Sequence, residues 1–191
     1  MRHVRRGGRY YRTHLPHWVN PLDITHSSLR GGRWNPRGGF GALYLSRDLA
    51  TARANAVRIF DGEIATLFDL QPVRRPMLQP VAVRPHLWVD AVTPAGRRQL
   101  HLAVAYRPGQ GWSPCQRVAR RAYAAGEHGV AAASAAAASM GGAGEELAVF
   151  DRSTDAVVAD GAPLRFSEWF PITAGGARLL QREVVLPGHI S

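Results

Sequence analysis

The sequence predicts a single α+β domain. Segments with helical and strand periodicity are interspersed along the chain, without the regular strand–helix–strand rhythm of a doubly wound parallel sheet. A length of 191 residues suits one domain. Apolar residues make up 46%, enough for a core, but 29 of them are alanine, so that core is thinner than the percentage implies. No repeat, linker or break in composition divides residues 1–191, and the whole chain, including its last 40 or so residues, reads as one unit.

The elements follow in order. Residues 9–14 (RYYRTH) are rich in aromatic side chains and predict the first strand. The basic run before them, RHVRR, reads as a solvated tail. Residues 15–28 are polar, contain two prolines and read as a loop. Residues 42–46 (ALYLS) alternate as a strand does. A helix follows, with Ser46 or Asp48 as its N-cap and Leu49, Ala52, Ala56 and Ile59 as its buried stripe. Asn55 sits on the flank of that stripe, about 60° from Ala52. Residues 63–70 predict a strand, and residues 81–90 another, broken at Pro85. Thr93-Pro94 matches an N-cap and first helical position and opens a helix to about residue 105. Ser113-Pro114 repeats that signature. The helix it opens carries Cys115, Val118, Ala119 and Ala122 on one face and stops near Gly126. Residues 130–133 predict a short strand. Residues 134–144, rich in Ala, Gly and Ser, read as a flexible loop or a weak helix. Residues 146–150 and 179–186 predict late strands.

All 24 basic residues are arginine, and the net charge is +10. Residues 1–58 hold 11 Arg and 2 Asp, so nearly all of the excess lies in the first third. That asymmetry favours an anionic partner: a phosphate-bearing ligand, an acidic protein or a nucleic acid. Nucleic acid is the less favoured of these, because no RRM, KH or zinc-finger pattern accompanies the charge. One cysteine excludes an intrachain disulfide and suits a reducing compartment. No apolar run reaches the roughly 20 residues that span a bilayer, and no secretory signal follows the basic start. The expectation is a cytoplasmic protein with no membrane association. His14, His17 and His26 are interrupted by Pro16 and lack a cysteine or paired carboxylate to complete a ligand set, so no metal site is expected. Cys115, on an apolar helix face, reads as an inert core thiol.

The most informative stretch is residues 29–46, LRGGRWNPRGGFGALYLS. Two glycines precede Arg33 and Trp34, and Pro36 with three further glycines tightens the loop before the strand. Such a loop lets backbone approach a ligand and aims Arg33 at it. The planar fork of arginine donates two parallel hydrogen bonds to phosphate.

Together with Tyr11-Arg12, Leu43-Tyr44-Leu45, the helix and Gly-Val step of residues 112–130, Ser134 and the ELAVF strand, Gly31-Gly32-Arg33-Trp34-Asn35 resembles the RES-domain family over roughly residues 10–150. The resemblance implies an ADP-ribosyltransferase-like mixed β core with flanking helices. It implies NAD as a substrate, cleaved at the nicotinamide–ribose bond with water, phosphate or a protein side chain as acceptor, and no metal. It also implies a toxin whose partner is an antitoxin. By the same resemblance Arg12 and Arg33 hold the pyrophosphate or ribose, with Trp34 among the substrate-binding residues. Tyr44 packs near the nicotinamide, and Ser134 hydrogen-bonds within the site.

One expected residue differs. The family's catalytic glutamate belongs on the first helix in a T-A-x-x-E pattern, and residues 51–55, TARAN, put Asn55 there. Cleaving the bond develops an oxocarbenium-like cation, which a carboxylate stabilises. Asparagine keeps a hydroxyl contact but supplies no charge. Losing one well-placed electrostatic stabiliser costs roughly 3–4 kcal/mol, or about 10²–10³ in rate. Three readings follow: Glu63 or the Glu145–Glu146 pair substitutes, the site binds a nucleotide without turnover, or it runs another reaction on NAD or a related nucleotide.

Overall fold

Strand pairing begins at the third residue. In the computed structural model, which describes residues 1–60, 67–103 and 111–170, β1 (His3–His14) runs antiparallel to β3 (Met77–Ala91) along almost its whole length. The other strands are β2 (Ala42–Ser46), β4 (Gly129–Ala133), β5 (Glu145–Phe150) and β6 (Val157–Ala159). They are ordered β1-β2-β5-β4-β3-β6, and the β1–β3 pairing closes five of them into a mixed barrel with β6 added on β3. Only β3–β4 is parallel. Helices α1 (Thr25–Arg30), α2 (Leu49–Ile59), α3 (Pro94–Gln99), α4 (Ser113–Ala124), α5 (Ala135–Ser139) and α6 (Phe166–Trp169) surround it. The α+β class is as the sequence predicts. No helix among the described residues is long and apolar enough to cross a membrane.

Alternation in the strands sorts the core. Tyr10, Leu43, Leu45, Val83, Trp88, Leu147 and Val149 fill the barrel. The intervening residues Ala42, Tyr44, Ala132, Ala148 and Phe150 face outward, where Cys115, Val118, Ala119 and Ala122 of α4 cover them. Those four are the helix face that the sequence spacing predicts, and Cys115 is buried there. Asp48 caps α2 as expected, its Oδ1 accepting from Thr51 N at 2.7 Å.

Several expectations are corrected. The RHVRR run is not a tail: His3 to Arg6 pair with His86 to Val89. Its charges meet acids of the later chain, in the pairs Arg2–Asp90, His3–Glu127, Arg6–Glu145 and, further along β1, Arg9–Asp160. Local composition cannot show partners 88 to 151 residues away. The stretch read as loop to Ser28 contains the start of α1. Ile59 is 54% exposed, and Ala54 is buried instead, because α5 packs against that side of α2 through Ala136 and Ala137. Residues 67–69 form a 3-10 turn rather than a strand. Residues 63–66 of that predicted strand lie outside the described residues, as does the strand at residues 179–186. Pro85 does not break β3: a bulge sets Arg84 and Pro85 opposite Gly7, so the missing N–H leaves the ladder intact. The helix opened by Thr93 ends at Gln99, followed by His101 in the left-handed region (φ 56°). Of the two readings of residues 134–144, the weak helix is the better, since α5 begins behind a Ser134 cap.

His14 ends β1 with 5% exposure. Burial holds its imidazole below the usual histidine range, and the Arg12 charge adds to the effect against the Leu15 carbonyl contact. The unfolded chain therefore takes up a proton near pH 6.5 that the folded chain resists, and stability falls as pH drops below that value. Thermal melts between pH 7 and pH 5 are expected to show a declining Tm, with a shallower decline in His14→Gln.

Candidate active site

The loop between α1 and β2 is held by one asparagine and one phenol. Asn35 is fully buried. Its Nδ2 donates to Ser27 O at 2.7 Å and Phe40 O at 3.3 Å. Its Oδ1 accepts from the Tyr44 hydroxyl at 2.8 Å, and that hydroxyl accepts from Trp34 N at 2.8 Å. Gln116 of α4 donates to Gly32 O at 2.8 Å. Gly32 is glycine for a steric reason: a Cβ there would lie 2.5 Å from the Tyr44 oxygen and 2.9 Å from Asn35 Oδ1. Arg33 is thus presented from a loop clamped on both sides.

Three charges bear on the Tyr44 hydroxyl. Burial raises its pKa, the Trp34 N–H works against that, Glu146 raises it further, and Arg33 and Arg12 lower it. The group remains a protonated donor across the ordinary pH range. Arg12 comes from β1 and Arg33 from the loop, and both charges bear on the phenol, but Tyr11 lies opposite Ser46, so Arg12 stands on the barrel side of its strand with Tyr10 while the Tyr44 side chain faces outward. Arg12 Nη1 donates to Tyr44 O at 3.2 Å, and its guanidinium lies 5.5 Å from the centre of the Trp18 ring. Burial lowers its pKa to about 10, so it stays charged at neutral pH. Its Nε is buried without a hydrogen-bond partner. The Arg33 charge is also felt at the Cys115 thiol, which burial raises. Trp34 sits elsewhere: it is fully buried in the cluster beneath α4, its Nε1 without a partner, with no face open to a ligand.

Asn55 lies next to this group. Its Nδ2 donates to Ser46 Oγ at 3.1 Å. Ser46 lies opposite Glu146 across the β2–β5 ladder, and Glu146 opposite Ala132 across β4–β5. Directly opposed residues share a sheet face, so Tyr44, Ser46, Glu146 and Ala132 all face outward. Glu145 points the other way and is bound by Arg6 through Nε at 2.6 Å and Nη2 at 3.0 Å. Ser134 is buried and caps α5, its Oγ accepting from Ala137 N at 3.2 Å. Gly144 lies between Ser134 and Thr51, the residue one turn before Asn55 on α2.

The structure thus brings Arg12 to the backbone of Tyr44, holds the loop that carries Arg33 on the Tyr44 hydroxyl, and ties Asn55 to the same strand through Ser46. It puts Ser134 on the α2–α5 side and Trp34 in the core. Sequence reasoning missed Asn35, Gln116 and Ser46 as organisers. Asn35 stood inside the motif, but nothing in the sequence marks Gln116, whose partner is 84 residues away. Glu63 lies outside the described residues. Among the described residues no group of three His, Cys, Asp or Glu side chains could hold a metal. A cavity of about 300 Å³ lined by Pro16, Pro72, Arg75 and Phe166 includes none of the predicted site residues.

No curated protein matches this chain in sequence. Its structure is similar to a chain in the crystal structure of the M. tuberculosis MbcT-MbcA toxin-antitoxin complex, with a TM-score of 0.69, 23% identity, and 85% of this chain and 86% of that chain covered. The RES domain family matches residues 9–171, which include Arg12, the glycine loop with Arg33, Tyr44, Asn55 and Ser134. With so much of its length matched, this chain belongs to the RES domain family.

Proposed function

We propose that this protein is an NAD-consuming enzyme that cleaves the nicotinamide–ribose bond, acting as a toxin held in check by an antitoxin in the cytoplasm. The observation that carries the reading is that two arginines of separate segments are tied to Tyr44: Arg12 Nη1 donates to the Tyr44 carbonyl, and the loop that bears Arg33 is held on the Tyr44 hydroxyl through Trp34 N. NAD's pyrophosphate bears two negative charges in a compact group, and charge-assisted arginine bonds are the strongest means of holding it. The unpartnered Arg12 Nε supports a ligand role, because a buried donor without an acceptor costs about 1–3 kcal/mol that a bound anion would offset. The antitoxin reading is supported by the likeness to a chain of a toxin-antitoxin complex. Nucleic acid is the weaker candidate, since Arg2, Arg6 and Arg9 are paired with acids of this chain.

The test is incubation of the purified protein with NAD, with and without phosphate, and chromatography of the products. Nicotinamide release is expected. Arg33→Ala is expected to lower kcat/KM roughly 10- to 150-fold, the loss of about 1.5–3 kcal/mol for a hydrogen bond to a charged group. Absence of nicotinamide and of any ADP-ribosylated protein would overturn the reading. Asn55 favours a second one, a nucleotide-binding module without turnover, which calorimetric NAD binding with no product would identify.

A further inference from the structure

We propose that Glu146 is the catalytic carboxylate of this site, supplying from β5 the negative charge that Asn55 cannot supply from α2. The inference rests on the NAD-cleaving reading and deepens it. Among the described acids, most are committed to other bonds. Asp23, Asp48, Asp151 and Glu168 bind nearby N–H or hydroxyl groups. Asp90, Glu127, Glu145 and Asp160 are in ion pairs with β1. Asp155 is exposed on the turn before β6, and Asp69 stands on the 3-10 turn of residues 67–69 and is itself engaged. Glu146 is half-buried, and its carboxylate makes no hydrogen bond or ion pair among the described residues.

Its position follows from strand register. Glu146 faces Ser46, whose hydroxyl takes the Asn55 amide at 3.1 Å. It shares the outward face with Tyr44, two residues before Ser46, and its charge is felt at the Tyr44 hydroxyl together with those of Arg33 and Arg12. Ser46 is therefore the common neighbour of Glu146 and Asn55, which puts a carboxylate on the sheet face that the first-helix glutamate would share. Glu145, its neighbour in sequence, takes the opposite face and is held by Arg6.

With water as acceptor the reaction balances. The C1′–N1 bond breaks, and its electron pair passes to the pyridinium nitrogen, giving neutral nicotinamide. The positive charge left on the ribose is stabilised by the Glu146 carboxylate. The water oxygen then bonds to C1′ and releases one proton to solvent.

The experiment compares wild type, Glu146→Gln, Glu145→Gln and the Asn55→Glu/Glu146→Gln double variant. Readouts are kcat and KM for nicotinamide release, calorimetric Kd for NAD, and Tm. Glu146→Gln is expected to lower kcat about 10²- to 10³-fold, with Kd for NAD changed less than about threefold, since the carboxylate acts on charge that develops only in the transition state. The double variant, with a carboxylate restored on α2, is expected to regain at least about tenfold in kcat. Glu145→Gln is expected to lower Tm and leave kcat within about threefold. An active wild type whose Glu146→Gln form keeps kcat within about fivefold overturns the Glu146 assignment alone. A Glu146→Gln form that loses NAD binding in step with kcat, with no rescue in the double variant, overturns it too. A wild type that releases no nicotinamide overturns the underlying reading instead.

Discussion

Asn35→Leu is expected to lower stability by about 2–4 kcal/mol and to remove most activity from the protein that still folds. The side chain is fully buried and makes three hydrogen bonds, two donated to carbonyls and one accepted from Tyr44. Leucine has similar bulk but leaves the Phe40 carbonyl and the Tyr44 O–H without this partner, each at about 1–3 kcal/mol. Ser27 O suffers less, because Gly31 N also donates to it at 2.8 Å. For a chain of this length the shift in Tm is roughly 5–15 °C. The functional loss has a separate cause. The Tyr44–Asn35 bond closes the loop that presents Arg33, and a misplacement of about 1 Å in a binding group can cost 10²-fold in rate. Nicotinamide release measured well below the variant's Tm separates the two effects. A variant with normal kcat/KM would show that the clamp does not set the position of Arg33.

Gly129→Ala is expected to be still more damaging, at more than about 3 kcal/mol, with little soluble protein recovered. At φ 155° a Cβ on Gly129 would lie 2.1 Å from Ala148 O and 3.0 Å from the Trp88 ring. The oxygen is backbone of β5 and the ring is packed inside the barrel, so neither can move cheaply. Relief requires opening the β4–β5 ladder, which sets the register of Glu146. Gly161→Ala is the control. It also has positive φ, at 96°, but meets nothing within 4 Å, so its cost is about 1–2 kcal/mol, the conformational penalty alone. Similar losses in the two variants, read from denaturant melts, would mean that the close approach at Gly129 is unimportant.

Much of the local structure was legible in the chain. The cap at Asp48, the Ser113-Pro114 start of α4 and its apolar face depend on residues within a few positions of one another, and the structure has them as the spacing predicts. The β2 strand is likewise where its alternation puts it. The errors fall where distant partners decide. The basic first residues became a strand because β3 pairs with them and acids from across the chain meet their charges. Ala54 replaced Ile59 in the core because α5 lies on that side of α2.

The site divides in the same way. By itself the sequence determined the family, the glycine loop with Arg33 and the absence of a carboxylate on the first helix, since these reside in the order and spacing of residues along the chain. Only the tertiary structure decided that Trp34 belongs to the core, that Asn35 and Gln116 hold the loop, and that Glu145 and Glu146 have different surroundings. Two adjacent glutamates are equivalent as letters. In a strand they take opposite faces, and which one meets Ser46 and Tyr44 depends on a register set by pairing with strands 100 residues away.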